Sequence, residues 1–280
     1  MKLTVLIDNT TLIDQYYISE PGLSLYLEAD GKKILFDTGF SGAFLPNAEQ
    51  MQIPLHDLDY VVLSHGHSDH TWGLPNLIRH MTLKRISGMP VSIPDLVTHP
   101  LTFSSRSMPD LPEVGSLISE ERASRHFHIR LSREPVWLTE NLVFLGEIDR
   151  RHDFEQANPN NRKILFMDGR EEQDYLLDDS ALAYRTAEGL VIITGCSHAG
   201  ICNIIDQASR ICDDTRIVDI VGGLHLLTTR EEQIRKTVEF LKIIRPRVLH
   251  ACHCTSLTAK HALAHDLALA ETGVGLTLVY

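Results

Sequence analysis

Excess positive charge, long apolar runs and a cysteine framework are all missing from this chain. Across 280 residues, 26 Lys and Arg stand against 37 Asp and Glu, a net charge of −11. No basic field is present to draw in a phosphate backbone, which argues against general nucleic-acid binding. A small anionic substrate is still allowed, because a bound metal ion dominates its local field. No run approaches the ~20 apolar residues that span a bilayer, so no membrane partner is expected. The opening MKLTVLIDNT places one lysine and a short apolar run ahead of Asp8 and Asn9, the pattern of a first strand and not of a secretory leader. The five cysteines, at 196, 202, 212, 252 and 254, form an odd set in a chain large enough to do without staples. A disulfide framework is therefore not expected, and a reducing, cytoplasmic setting is.

What is present is an ordinary globular composition, 43% hydrophobic, enough for a sizeable core. Short apolar runs at 3–7, 23–28, 33–39 and 59–67 read as strands, with Asp30-Gly31 turning the second into the third. The second half repeats the theme at 142–148, 181–186, 190–195, 217–223 and 248–252, with a tight turn at Ala187-Glu188-Gly189. Apolar positions at three-to-four spacing predict helices at 199–212, 230–244 and 255–271. Periodicity alone gives α/β or α+β, with strand hairpins and flanking helices in each half. The stretch from about Pro75 to Pro135 is rich in proline, serine and arginine with weak periodicity. It is expected to be an insertion in a single domain spanning 1–280, either a lid or cap over the site or a variable surface excursion.

The string SHGHSDH at 64–70 follows the apolar strand VVL and leads into TWGLPNLIRH, a predicted helix. His65 and His67 alternate by two, so an extended backbone sends both imidazoles to one face. Asp69 and His70 then fall where the chain turns into the helix. Imidazole with carboxylate suits zinc, iron or manganese, and the near absence of thiolate argues against a purely structural zinc site. Surface histidines beside an N-cap are the bland alternative, but HxHxDH is a demanding pattern.

HxHxDH after a strand resembles the signature of the metallo-β-lactamase superfamily. ILFDTG, with Asp37, resembles that superfamily's strand-end aspartate, which supports the metal loop from behind. GEIDRRHDFE at 146–155, LVIITGCSHAGICNII at 190–205, VGGLHL at 221–226 and ACHCTS at 251–256 are similar to the subgroup of dihydropterin-6-methyl-(ribofuranosyl)aminobenzene-phosphate synthases. The resemblance implies a four-layer αββα sandwich and two divalent transition-metal ions, zinc first with iron or manganese as alternatives. It also implies a ligand set of His65, His67, Asp69, His70, His198 and His253.

Two departures from the superfamily pattern bear on that set. Gly146-Glu147 stands where a glycine and histidine are common, and Cys196 stands where a bridging aspartate is common. Either Cys196 or His198 could face the metals. His198 is the expected ligand, since a cysteine ahead of an apolar helix is more often simply buried. Cys252 and Cys254 flank His253 and are expected to be structural or redox-sensitive. His225, behind two glycines that let the backbone approach a ligand, is the expected substrate or transition-state contact.

These residues predict a metallo-hydrolase acting on a small, phosphorylated or ester-type molecule. Asp69 is expected to ligate metal and aim an activated water, and His225 to donate to developing charge. The alternatives are a synthase or transferase acting on a pterin-like phosphorylated substrate, and a non-catalytic ligand-sensing protein.

Overall fold

The computed structural model describes residues 1–156, 164–167, 169–227 and 231–280. The first half supplies strands β1 (Lys2–Ile7), β2 (Ser24–Ala29), β3 (Lys32–Phe36), β4 (Tyr60–Val62), β5 (Asp95–Thr98), β6 (Ser105–Ser107) and β7 (His128–Leu131). The second half supplies β8 (Val136–Trp137), β9 (Leu142–Phe144), β10 (Ile164–Met167), β11 (Arg170–Gln173), β12 (Ala181–Thr186), β13 (Gly189–Thr194), β14 (Ile217–Gly223), β15 (Val248–Cys252) and β16 (Thr277–Val279). The helices are α1 (Phe44–Gln50), α2 (Ser68–Thr71), α3 (Leu74–Ile86), α4 (Glu120–Ala123), α5 (Ile201–Cys212), α6 (Glu231–Ile244) and α7 (Leu257–Asp266). Arg230, the first residue of the helix expected at 230–244, lies outside the described residues.

Two large sheets result. One runs β16-β1-β2-β3-β4-β5-β7 and the other β15-β14-β13-β12-β9-β8, while β11-β10-β6 form a small third sheet. Asp30 and Gly31 take φ of 50° and 77°, the left-handed pair that a two-residue turn between antiparallel strands requires. From β3 onward the first sheet becomes parallel through β4, β5 and β7, and β13, β14 and β15 are parallel in the second.

Three apolar clusters fix the stacking. Leu3, Leu25, Ile34, Phe36 and Val62 of the first sheet meet Phe144, Leu182, Val191, Ile193 and Val221 of the second, forming the core between the sheets. The opposite face of the first sheet, with Leu6, Leu35, Val61 and Leu96, is covered by Phe44 and Ala48 of α1 and by Leu74, Leu77 and Met81 of α3. The opposite face of the second, with Ala183, Ile192, Ile220 and Leu249, is covered by Ile204, Ile205 and Ala208 of α5, Leu241 of α6 and Leu263 of α7. Three buried interfaces make four layers, αββα. Each fully buried Leu, Ile or Phe contributes roughly 1.5–3 kcal/mol of transfer free energy to hold them. Every residue of β13 is buried, as a strand covered on both faces must be, which explains its unbroken apolar run.

Within the segment 75–135, part of the chain joins the first sheet and part lines a cleft. β5 and β7 extend the first sheet in parallel, and α3 packs on its outer face. The β6 region, part of the small third sheet, contributes Met108, Leu111 and Val114 to the lining of a cleft. The strands escaped the periodicity because they are four residues each. β7, HIRL, is also an edge strand whose outward residues are exposed, so it reads as polar.

Candidate metal centre

Strands β1, β3, β4, β13, β14 and β15 run in one direction, and the loops at their carboxyl ends meet on one edge of the sandwich. There lie Asp8 and Asn9, Asp37, the 64–70 loop, Cys196 to His198, His225 and His253. The apolar strand β4 ends at Ser64 and its loop enters α2, which begins at Ser68. Gly66 lets this loop sit flat. A Cβ there would come 1.8 Å from Nη1 of Arg106 and 2.4 Å from the Thr102 carbonyl. Arg106 is fully buried and pairs with Asp174 at 3.0 Å and Asp178 at 2.8 Å. Asp178 in turn accepts the Gly66 amide at 2.8 Å. Asp37, Ser197, His225 and His253 all take left-handed φ, of 58°, 64°, 49° and 51°. Such backbone costs of order 1–3 kcal/mol per residue and tends to gather where side chains must be aimed.

The side chains converge as two groups. In the first, Nδ1 of His67 lies 3.0 Å from Nε2 of His65 and 3.1 Å from Nε2 of His198. In the second, Nε2 of His70 lies 3.2 Å from Nε2 of His253 and 3.8 Å from Oδ2 of Asp69, which is itself 3.4 Å from His253. The Cys196 thiol belongs to both. It approaches His70 Nε2 at 3.2 Å, and its sulfur groups with His65 and His198, and separately with Asp69, His70 and His253, the ligand atoms of each group lying within 4.8 Å of one another. A tetrahedral ion with ~2.0–2.1 Å bonds to nitrogen separates its ligand atoms by roughly 3.3 Å. The His65–His67, His67–His198 and His70–His253 spacings of 3.0, 3.1 and 3.2 Å are close to such an edge, so the donor set fits a divalent metal ion.

The outer partners set the imidazole tautomers. Asp37 accepts the Ser64 amide and the Ser64 hydroxyl, each at 2.7 Å. Having donated its one hydrogen, that hydroxyl can only accept from His65 Nδ1, at 2.9 Å. Asp37 also takes the Nδ1 hydrogen of His70 at 2.7 Å. Both rings thus carry a hydrogen on Nδ1 and present Nε2 to the cluster, the atom a metal-ligating histidine uses. Asp8 accepts the His253 amide at 2.8 Å, and the Asn9 side-chain oxygen faces His253 Nδ1 at 3.1 Å. Asp179 accepts the Ala199 amide at 2.9 Å, which seats the turn carrying His198.

Burial opposes the charge on Asp69, but His70, His253 and His67 hold its carboxyl well below the usual carboxylate range. Burial likewise opposes charge on His70, yet Asp69 and Asp37 push its imidazolium up to about 9. A cation entering the cluster replaces that proton.

Above the cluster opens a cleft of about 490 Å³. Its floor is His67, Asp69, Cys196, His198 and His253, and its rim includes Phe40, Met108, Leu111 and Leu227. His225 also lines it, with its ring 4.1 Å from that of His198. All six histidine and aspartate ligands expected from sequence, and His225, therefore meet at one place. His198 and Cys196 both lie in the cluster. Cys196 is buried, as expected, but buried with its sulfur toward His70. The left-handed turn at Ser197 lets two residues of one short loop point inward together. Glu147 stands elsewhere, with its carboxylate on His99 and Arg133. Asn9, Asp8 and Phe40 were missed by sequence reading. Their one signal was position, directly after β1 or β3 on the same edge.

The comparisons agree with this geometry. The family described as "Metallo-beta-lactamase superfamily" matches residues 19–128, the part that carries Asp37 and the 64–70 loop. The crystal structure of Tm1679, titled a metal-dependent hydrolase of the β-lactamase superfamily, superposes with a TM-score of 0.83 at 26% identity, covering 100% of this chain and 99% of that one. Residues 19–128 thus match that superfamily by sequence, and the chain as a whole, an αββα sandwich, shares its fold with Tm1679. Among named relatives, it is 28% identical over 280 aligned positions to 7,8-dihydropterin-6-methyl-4-(β-D-ribofuranosyl)-aminobenzene-5'-phosphate synthase of Methanocaldococcus jannaschii, covering 95% of this chain and 91% of the relative. A diphosphatase from the PhnP family shares the fold, with a TM-score of 0.50 at 17% identity over 100% of this chain and 97% of that one.

Proposed function

We propose that this chain is a metal-dependent hydrolase of a small molecule, working with two divalent ions, zinc first and iron or manganese as alternatives. The observation that carries the reading is the pair of donor groups sharing Cys196 at the floor of a cleft. One group would be His65, His67, His198 and Cys196, the other Asp69, His70, His253 and Cys196. Bound there, such ions supply Lewis acidity and a water-derived nucleophile at neutral pH.

The chain's own groups do the rest. Asp69, ionised and facing the cleft, holds and aims the attacking water through its carboxylate. His225, which lines the cleft with its ring 4.1 Å from that of His198, would donate a hydrogen bond to charge developing on a carbonyl or phosphoryl oxygen. A small-molecule substrate and a reducing, cytoplasmic setting complete the reading. All five cysteines are free, and no helix among the described residues is long and apolar enough to cross a membrane.

A second reading, synthase chemistry on a pterin-like phosphorylated substrate, is favoured by the near full-length match to the methanogen synthase. Fold alone does not choose between them. The deciding experiment pairs elemental analysis with turnover assays on ester, lactone, phosphomonoester and phosphodiester panels, run beside a pterin-and-aminobenzene coupling assay. Metal content with hydrolysis supports the first reading, and coupling without hydrolysis supports the second. Metal without either activity leaves the ligand-sensing alternative. Absence of metal after attempted reconstitution sinks all readings that need the cluster.

A further inference from the structure

The metal cluster accounts for the floor of the cleft but not for its rim. Four large apolar side chains that the fold leaves exposed, Phe40 at 43%, Met108 at 36%, Leu111 at 51% and Leu227 at 51%, all line this one cleft. A hydrolase that needed only to admit a small polar substrate has no physical use for that grouping, since exposed apolar surface gathered in one place marks a binding surface.

Phe40 differs from the other three in how it is held. One face of its ring stacks on Trp72, with centroids 5.0 Å apart and planes 27° from parallel. Trp72 is pinned in turn, since its indole N–H donates to the Gly115 carbonyl at 2.7 Å. The Phe40 amide is fixed by the Glu20 carboxylate at 3.0 Å. The stack is also tied in register to the cluster. The Thr38 amide and hydroxyl both donate to the His70 carbonyl, at 2.8 Å and 2.9 Å, and the Gly73 amide donates to the Gly39 carbonyl at 3.2 Å. Phe40 therefore sits three residues from Asp37 and Trp72 two from His70, on backbone that cannot shift without moving those groups. A ring stacked on one side and lining a cleft on the other offers its free face to whatever enters, at little entropic cost because it is already ordered.

We infer that Phe40, backed by Trp72, is a stacking platform that selects substrates whose reactive group is attached to a planar aromatic ring. This deepens the hydrolase reading and rests on it for the position of the reactive group at the metal floor. Met108, Leu111 and Leu227 supply the remaining apolar contact around the ring. Phe40 acts on binding alone, so its loss raises KM and leaves kcat and metal content in place.

The test uses two probes with one head group, phenylphosphonate and cyclohexylphosphonate, titrated calorimetrically into the metal-loaded protein. Phenylphosphonate should bind several-fold to about tenfold more tightly, the range that aromatic pairing gives beyond area burial. Phe40→Ala should erase the difference at unchanged metal content, and Phe40→Tyr should retain it. Equal affinities, binding of neither probe, or a preference that survives Phe40→Ala overturns the platform. Failure of the two ideas is separable. Selective aromatic binding by a protein that hydrolyses nothing sinks the hydrolase reading alone. Hydrolysis of aryl and alkyl substrates with equal KM sinks the platform alone.

Discussion

Replacing Asp37 with asparagine tests the cluster from behind, without touching a ligand. The carboxylate is fully buried and accepts three hydrogen bonds of 2.7 Å, from the Ser64 amide on Oδ1 and from the Ser64 hydroxyl and His70 on Oδ2. Asparagine has one oxygen to offer. With its oxygen on the Ser64 amide, its NH₂ faces His70 Nδ1, which can then only accept. The ring hydrogen moves to Nε2 and blocks the atom aimed at the metal. With the amide flipped, NH₂ meets the buried Ser64 N–H and a donor is left unsatisfied, at a cost of about 1–3 kcal/mol.

The first arrangement removes His70 as a ligand, and loss of such a supporting group costs typically 10–100-fold in metal affinity, or about 1.4–2.8 kcal/mol. The Ser64 hydroxyl loses the same acceptor and turns its hydrogen toward His65 Nδ1, so metal held by Asp69, His70 and His253 and metal held by His65, His67 and His198 should both weaken. Competition against a chromogenic chelator, with elemental analysis of the dialysed protein, reads both. The metal-free melting temperature should fall by about 2–4 °C per kcal/mol lost. Two ions retained at unchanged affinity in Asp37→Asn would refute the tautomer reasoning.

Cys196→Ala should weaken both ions together because its sulfur is common to both groups, and Cys196→Asp, which offers a bridging carboxylate, should restore two ions by elemental analysis; unchanged affinity in the alanine variant removes the shared-thiolate assignment. Asp69→Asn keeps its shape and should fold, but turnover should fall at least tenfold with little change in KM, whereas His225→Ala should raise KM with metal content intact, side-by-side kinetics being the measure. Full activity in the first variant contradicts the role of Asp69, and metal loss in the second makes His225 a ligand. Gly66→Ala drives a Cβ to 1.8 Å from Arg106 Nη1 and 2.4 Å from the Thr102 carbonyl. It should destabilise the fold by several kcal/mol and lower the denaturation midpoint at unchanged slope, while a midpoint equal to that of the parent contradicts the seating of the loop on Arg106.

The sequence alone determined the local facts. HxHxDH after VVL demanded four metal-seeking groups within seven residues, and the unbroken apolar run of β13 and the three-to-four spacing of α5 and α6 follow from burial on both faces or one stripe. Asp37 was readable through the resemblance of ILFDTG to the superfamily's strand-end aspartate. Tertiary structure decided everything that depends on distant segments meeting. Cys196 looks like any buried cysteine before an apolar helix until β13 is laid beside β14 and its loop is brought against His70, a residue 126 positions away. Asn9 meets His253 across 244 positions, a separation that no local pattern encodes. The same holds for 75–135, where four-residue strands gain their stability from neighbours in the sheet and not from their own periodicity. Local spacing could name the donors, but only packing, through the shared edge of six strands, could say which atoms they turn toward one another.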